Sequence, residues 1–264
     1  MKLQDEIILH KFCKDFWYVP SDVLQRSIEA IIWKRQKFIH PILEIGAGDG
    51  RISSYLFPRN IDWGLDNDAN VEKSAKESGL YKNFVISDAA KTKFPNSFFN
   101  TIIANSTFEH IENDITAVVE VARILKPNGS FMLTVPLPSL EKEITRIENS
   151  DLNKTKKLNS RLNHLHYYSL EKWRKIVSKA GLEITKYSFY IDIKLVPVWY
   201  RLFQITTAQI YKRELWSYLS DSRFQKFLPK KMISKILFWY LSKYATGYFT
   251  EDGCFLFIKA KKIK

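Results

Sequence analysis

The sequence predicts an α/β fold built on a doubly wound, mostly parallel sheet of seven strands. Short apolar runs recur along the chain and alternate with segments of helical spacing, which is the pattern of strands joined by helices in a parallel sheet. A glycine-rich turn follows the first strand, Ile42–Ile45, as it does in nucleotide-binding folds of this class. The 264 residues suffice for one large domain with elaborations.

Short apolar runs rich in β-branched residues mark the strands. They lie at 41–45, 61–66, 84–88, 101–104, 131–135, 182–187 and 254–260. Helices are predicted from Ser21 as N-cap to about Lys37, from about Arg51, over Ile115–Leu125, and from Ser169 as N-cap to Ala180.

The same pattern divides the chain into three parts. Residues 1–40 form an N-terminal helical cap, and residues 41–189 together with 251–264 form the domain that carries the sheet. Residues 190–250 separate the last two strands, and these roughly 60 residues far exceed an ordinary loop. We expect them to form a mostly helical insertion that leaves the sheet at its ligand-binding edge and covers the substrate pocket.

The turn after the first strand has the spacing G-x-G-x-G and is preceded by an acidic residue, Glu44. Gly46, Gly48 and Gly50 allow a tight turn and let backbone N–H groups approach a ligand. Asp66 ends the second apolar run, about 20 residues after the first glycine, where an acidic side chain can bind ribose hydroxyls. A dinucleotide-binding turn has a different spacing, G-x-G-x-x-G. The two acidic residues near the turn, Glu44 and Asp66, suit a ligand that has both an ammonium group and a ribose.

Five motifs occur in the order found in class I S-adenosylmethionine-dependent methyltransferases, which the chain resembles over roughly residues 40–190. The motifs are Glu44-Ile-Gly-Ala-Gly-Asp-Gly50, Gly64-Leu-Asp66, Ser87-Asp88-Ala89, Asn105-Ser-Thr-Phe-Glu-His110-Ile111 and Arg123-Ile-Leu-Lys-Pro-Asn-Gly129. Each motif alone is weak, and their joint order carries the resemblance, in particular to small-molecule and lipid methyltransferases. The resemblance implies the Rossmann-like methyltransferase fold, S-adenosyl-L-methionine as cofactor, and an enzyme that transfers a methyl group.

A set of cofactor-binding residues on this chain is predicted from the turn and from the resemblance: Glu44, Gly46, Ala47, Gly48, Gly50, Asp66, Asn67, Asp88, Ala89 and Asn105. Glu44 is expected beside the ammonium group and Asp66 beside the ribose. The resemblance implies that Asp88 accepts from the adenine amino group. Asp88 is also suited to cap the start of a helix, and the two roles are compatible.

The segment after the fourth strand bears on the acceptor. An enzyme that methylates amino groups of nucleic acids would carry Asp/Asn-Pro-Pro-Tyr/Phe there, whereas this chain has Asn105-Ser-Thr-Phe108. The missing prolines argue against such an enzyme, so a nucleic acid partner is not expected. We expect transfer to a small-molecule, glycan or lipid-linked acceptor, with oxygen as the leading atom. An RNA-directed methyltransferase and a non-catalytic cofactor-binding module of the same fold are the alternatives.

His110 and His166 are the candidate catalytic residues, because histidine exchanges protons near neutral pH. His110 is either a general base or a residue packed under the site. His164 and His166 share one side of an extended segment by alternation, where they either face the substrate or order the loop. Two histidines without a carboxylate or cysteine cluster make a poor metal site, so no metal is predicted.

The charge and composition indicate the surroundings of the protein. The formal net charge is +13, which favours an anionic partner. The segment 190–250 combines aromatic residues with Lys and Arg, so it either packs into a core or presents a surface to anionic lipid or RNA. Trp199, Trp216 and Trp239 would be interfacial anchors if they face outward, and would build the core of the insertion if they face inward.

Three further features of the sequence bear on its location. The chain has two distant cysteines, no signal-peptide pattern, and no apolar stretch of about 18 residues. They indicate a reducing, cytoplasmic location, with the inner face of the membrane as a site of peripheral contact.

Overall fold

The computed structural model describes residues 3–244 and 250–263. Its strands are β1 (Ile42–Ile45), β2 (Ile61–Asp66), β3 (Tyr81–Ile86), β4 (Phe99–Asn105), β5 (Leu125–Pro136), β6 (Leu182–Asp192), β7 (Gln209–Ile210), β8 (Arg213–Glu214) and β9 (Gly253–Lys262). Seven of them form one sheet in the order β3-β2-β1-β4-β5-β9-β6, and β7 and β8 form a separate hairpin.

The helices lie before, between and after these strands. They are α1 (Leu3–Asp15), α2 (Pro20–Lys34), α3 (Ser53–Leu56), α4 (Glu72–Glu77), α5 (Asp114–Ile124), α6 (Pro138–Ile147), α7 (Leu152–Leu162), α8 (Leu170–Lys179), α9 (Val196–Thr206), α10 (Leu215–Ser220), α11 (Ser222–Gln225) and α12 (Lys230–Ser242). Single 3₁₀ turns occur at Ala69–Val71, Phe108–His110 and Ile193–Leu195.

The predicted fold class is confirmed by the pairing of the strands. β1 pairs in parallel with β2 and β4, β2 with β3, and β4 with β5, while β9 runs antiparallel between β5 and β6. Parallel strands end at one common edge, so the carboxyl ends of β1, β2, β3 and β4 lie side by side. This edge carries the candidate site.

Both faces of the sheet are covered by helices, because successive strand residues point to opposite faces. In β5, Phe131 and Leu133 pack into a cluster that includes Trp173 of α8, while Met132 between them packs into a second cluster. The second cluster contains large side chains of α1, α2 and α9, such as Phe12 and Trp33. The N-terminal helices and the insertion therefore share one core on one face of the sheet.

Three local predictions differ from the structure. Ser21 is not an N-cap, because α2 begins at Pro20, whose ring is preset for a first helical position, and Ser21 is buried inside the first turn. The helix expected from Arg51 is only the four residues of α3, since Phe57 precedes Pro58 and takes an extended conformation. The third strand begins at Tyr81, earlier than predicted.

The insertion after β6 is mostly helical and partly built into the core. Val196, Trp199 and Tyr200 of α9 are buried, as is Leu241 of α12, and α12 packs along α1. Trp199 therefore faces inward, whereas Trp239 is 63% exposed. Within residues 3–244 and 250–263, no helix has the length and apolar character needed to cross a membrane.

Candidate active site

A cavity of about 530 Å³ opens at the carboxyl ends of the parallel strands. The strand order reverses there, because β1 lies between β2 and β4, and such a switch point is where α/β sheets bind ligands. The volume suits a cofactor-sized molecule. The lining residues that the sequence predicted are Gly46, Asp66, Asn67, Asp88, Ala89 and His110; Ile45, Leu65, Ser87, Ser106, Thr107, Ile111, Glu112, Asn113 and Leu165 complete the wall.

The glycine turn is tied to β2 by its backbone. The N–H groups of Gly46 and Ala47 both donate to the Leu65 carbonyl, at 2.9 and 3.0 Å, and the Gly48 N–H donates to Asp66 Oδ2 at 2.8 Å. Gly46 has a φ of +72° and lies against Thr107, so a Cβ there would come within 2.3 Å of that side chain. The turn therefore requires glycine both for its backbone and for the space beside it.

Glu44 lies beneath the glycine turn. Its carboxylate accepts hydrogen bonds from Ser53 Oγ at 2.6 Å and from the Tyr81 hydroxyl at 2.9 Å. The side chain is buried and is not among the groups that line the cavity. Burial raises the pKa of Glu44 to about 8, against the opposing effect of these two hydrogen bonds. Glu44 thus supports the turn from below, and the ammonium contact expected from the sequence stays a prediction.

Asp66 and Asp88 both line the cavity. Asp66 Oδ1 also accepts from the Asp68 N–H at 3.0 Å, which fixes the side chain at the end of β2. Asp88 Oδ1 accepts from the Ala90 N–H at 2.8 Å. Asp88 therefore closes the turn after β3 as well as lining the cavity. S-adenosyl-L-methionine fits here, because the cavity has room for a cofactor-sized molecule and its wall includes two acidic residues that can accept hydrogen bonds from hydroxyl and amino groups.

Asn105, predicted to bind the cofactor, is turned away from the cavity. Its Oδ1 accepts from Trp33 Nε1 at 2.6 Å and from Thr134 Oγ1 at 2.9 Å, while its Nδ2 donates to Glu29 Oε2 at 2.9 Å. Asn105 therefore joins the end of β4 to α2. The neighbouring residues Ser106 and Thr107 reach the cavity instead.

Glu29 is the centre of a buried polar network that the sequence did not reveal. Arg26 Nη1 lies 2.7 Å from Glu29 Oε2 and donates to Ser106 Oγ at 2.9 Å. The Tyr190 hydroxyl donates to Glu29 Oε1 at 3.1 Å and the Gln25 amide at 3.0 Å. The network thus connects α2 and β6 with the edge of the cavity.

A second cavity of about 180 Å³ adjoins the first and shares Ser106 and His110 with it. It is lined by residues of α2, α6, α7, α9 and β9: Asp22, Gln25, Arg26, Leu140, Leu162, Trp199, Phe203 and Phe255, together with Glu109 and His164. The aromatic side chains come mainly from the insertion. The second cavity combines apolar walls with charged groups.

The two predicted catalytic histidines have different positions. His110 lines both cavities, and its Nδ1 lies 2.8 Å from the Asn163 carbonyl. Burial lowers the pKa of His110, although the carbonyls of Asn163 and Ser106 act in the opposite direction. His166 is in neither cavity wall. Its Nε2 lies 3.0 Å from the Ile111 carbonyl and its Nδ1 lies 3.1 Å from the Tyr168 hydroxyl. The ring therefore orders the segment between α7 and α8.

The structure also brings a carboxylate to the histidines, contrary to the expectation from the sequence. Glu109, His110 and His164 each offer one ligand atom, and these atoms lie within 4.8 Å of one another. Burial raises the pKa of Glu109 to about 8, and burial lowers the pKa of His164 to about 4 with a contribution from His110. The sequence signal was weak, because Glu109 and His164 are far apart in the chain.

Comparisons with known proteins agree with this geometry. A family model described as a methyltransferase domain matches residues 22–187. An uncharacterized protein of Methanocaldococcus jannaschii is 27% identical over 131 residues, which cover 48% of this chain and 60% of that protein. The ubiquinone/menaquinone biosynthesis C-methyltransferase of Coxiella burnetii is 25% identical over 135 residues, covering 47% and 49%. The chain thus spans about half the length of these curated relatives.

Solved structures show the same fold over nearly the whole chain. A possible histamine N-methyltransferase of Thermotoga maritima has a TM-score of 0.56 and 14% identity, covering 98% of this chain and 99% of that one. A complex described as the Haloferax volcanii Trm112 methyltransferase activator with the putative methyltransferase gives a TM-score of 0.55 and 13% identity, covering 97% of this chain and 98% of that one. Because the family model matches more than half of the chain, this protein belongs to the methyltransferase domain family, and it has the fold of the class I S-adenosylmethionine-dependent methyltransferases.

Proposed function

We propose that this enzyme methylates an oxygen of a small-molecule, glycan or lipid-linked acceptor that enters through the second cavity. The observation that carries the proposal is the shared wall of the two cavities at Ser106 and His110. A ligand in the second cavity would meet the cofactor cavity there. The apolar side chains opposite, Trp199 and Phe203, suit an acceptor with an apolar part.

The chain's own residues bind and orient the cofactor in this proposal. Gly46, Asp66, Asn67, Asp88 and Ala89 contact it, while Ala47, Gly48, Gly50 and, from below, Glu44 keep the turn in shape. Asn105 positions Ser106 and Thr107 through its contacts with α2. S-adenosyl-L-methionine supplies, when bound, an activated methyl group on a cationic sulfur. Proximity and exclusion of water are then the main contributions of the protein.

His110 is the residue that we propose contacts the acceptor, because it is the histidine placed between the two cavities. The Asn163 carbonyl holds the ring in one orientation. We assign no substrate contact to His166, whose nitrogens both have partners in the loop.

The insertion is proposed to serve as a lid over the acceptor. Its helix α9 supplies Trp199 and Phe203 to the second cavity, and α9 packs on α2 and α6. The same helix also fills the core, so replacing the whole insertion would expose buried surface. A point change such as Phe203→Ala is the better test, since Phe203 is only partly buried.

Product analysis with methyl-labelled cofactor tests the function. Purified enzyme is incubated with fractionated extract, and the labelled products are separated into small molecules, organic-soluble lipids and nuclease-sensitive material. We expect a methoxy signal in a small or lipid-linked product, reduced by His110→Gln and Phe203→Ala without loss of S-adenosylhomocysteine affinity. Label confined to RNA would overturn the proposed acceptor, and no label from enzyme that binds the cofactor would favour a non-catalytic module.

A further inference from the structure

Three potential metal ligands meet at the edge of the second cavity. Glu109 and His110 belong to the 3₁₀ turn after β4, and His164 follows α7. The Leu165 N–H donates to the Glu109 carbonyl at 2.8 Å, which joins the two segments. As a result, one nitrogen of each histidine and one oxygen of Glu109 lie within 4.8 Å of one another.

Both imidazole rings are oriented by contacts that leave a lone pair available. His110 Nδ1 lies 2.8 Å from the Asn163 carbonyl, which can only accept, so Nδ1 carries the proton and Nε2 the lone pair. His164 Nδ1 lies 2.8 Å from the Tyr167 hydroxyl, and that hydroxyl donates to Asn159 Oδ1 at 2.9 Å. The hydroxyl oxygen therefore accepts from His164 Nδ1, and Nε2 again has the lone pair. Metal-binding histidines are held by partners of this kind.

Glu109 supplies a carboxylate that lacks a partner. The residue is 2% exposed, and its Oε2 has no hydrogen-bond partner in the part of the chain that the structure describes. Buried carboxylate oxygens normally have one, because an unpaired oxygen loses its hydration without compensation. The nearby guanidinium of Arg26 is engaged with Glu29 and Ser106. A cation beside Glu109 would satisfy the free oxygen.

We propose that Glu109, His110 and His164 bind a divalent transition-metal ion, with zinc as the best match. Two imidazoles and one carboxylate are the donor set of open zinc sites and of some iron(II) sites. Ligand atoms around tetrahedral zinc lie about 3.3 Å apart, so the side chains must close by roughly 1.5 Å at most. The remaining positions would face the second cavity, where an oxygen of the acceptor would bind, so that with the metal present His110 would meet the acceptor through the metal and not by direct contact. That last role rests on the proposed function, whereas metal binding itself does not.

Zinc titration of the chelator-treated full chain tests the site. We expect one zinc per chain, measured by competition with a chromophoric indicator and by elemental analysis. His164→Gln and Glu109→Gln should each weaken binding by about 100-fold or more. His166→Gln is the matched control, since it is the same change two residues away on a ring outside the cluster, and it should retain the affinity of the wild type.

Cobalt(II) substitution tests the metal site, and cofactor binding to the same samples shows whether each variant is folded. A cobalt absorption spectrum that changes in His164→Gln and not in His166→Gln supports the site. S-adenosylhomocysteine titration of the same samples reports on folding and on the proposed function independently. Wild-type enzyme that binds S-adenosylhomocysteine but no zinc, or zinc binding that is equal in His164→Gln, would overturn the metal site and leave the methyltransferase assignment intact.

Discussion

Gly46 is the residue at which one added methyl group should most affect the cofactor cavity. Its φ of +72° is strained for other residues, and a Cβ would lie 2.3 Å from the Thr107 side chain. Because Thr107 lines the cavity, its displacement should change the binding surface. Overpacking of this kind costs about 1–3 kcal/mol of stability, and we expect the displaced cavity wall to weaken S-adenosylhomocysteine binding to Gly46→Ala by about 10-fold or more, or about 1.4 kcal/mol of binding free energy, as measured by calorimetry.

Gly79 offers a matched control for that substitution. Its φ is +65°, close to that of Gly46, but a Cβ there would meet no atom within 4 Å. Gly79→Ala should therefore lower thermal stability through the same backbone strain while cofactor affinity stays at the wild-type value. Equal loss of affinity in both variants would show that strain, and not the contact with Thr107, is responsible.

Glu44 should make stability depend on pH. Its pKa in the folded chain is raised from 4.5 to about 8, so the folded state holds a proton that the unfolded state has already released. Stability should consequently fall as pH rises from about 4.5 to about 8. One group of this kind contributes a slope of at most about 1.4 kcal/mol per pH unit. The unfolding free energy of Glu44→Gln, measured by urea denaturation between pH 5 and 8, should fall with pH less steeply than that of the wild type, by up to that amount.

The same Glu44 variant also distinguishes support of the turn from cofactor contact. Ser53 and Tyr81 donate to the carboxylate, and glutamine can keep much of this arrangement. S-adenosylhomocysteine affinity of Glu44→Gln should therefore stay close to that of the wild type. A large loss of affinity with an unchanged unfolding slope would instead favour the ammonium contact expected from the sequence.

At the scale of elements, the buried Glu29 of α2, which pairs with Arg26 on the same helix, should be important for docking α2 on the sheet. The Glu29 side chain is fully buried and also accepts from Tyr190 of β6. Removing one partner of a buried pair leaves an uncompensated charge and costs about 3–5 kcal/mol. Glu29→Gln should lower the free energy of unfolding by that order, as measured by urea denaturation.

The exposed pair of Glu72 and Lys76 provides the comparison for Glu29. The two side chains lie 2.7 Å apart on α4 but are largely open to solvent, and such pairs contribute about 0.3–0.5 kcal/mol. Glu72→Gln should therefore change stability by less than 1 kcal/mol. Similar losses in both variants would contradict a special role for the buried network.

Elements with a strong local pattern were predicted well, and long-range contacts were not. The strands ending at Ile45 and Asp66 follow from short apolar runs before turn signals, and Ser169 caps α8 as expected. The orientation of Asn105 was not predictable, because it depends on Trp33 and Glu29 in α2. The proximity of Glu109 to His164 was not predictable either, because it depends on how the chain folds after α7.

For the molecule as a whole, the neighbouring helices α1 and α12 both carry exposed apolar side chains, and we refer to these side chains together as the face of α1 and α12. Leu3 and Ile7 are four residues apart on α1, and Met232, Ile236 and Trp239 share a side of α12; all five are more than half exposed. The two helices pack together, and Lys243 Nζ lies 3.6 Å from the centre of the Trp239 ring. Together with the net charge of +13, this face suits an anionic bilayer surface.

We therefore expect reversible binding to anionic vesicles through the face formed by α1 and α12. Wild-type enzyme should sediment with vesicles rich in phosphatidylserine at low salt and release at high salt, because surface lysines contribute about 1 kcal/mol each. The double change Ile236→Ser and Trp239→Ser should abolish most of this binding. Ile115→Ser with Val119→Ser is the matched control, since both residues are about half exposed on α5. Equal binding of neutral vesicles, or equal loss in the control, would show that this face is not the membrane contact.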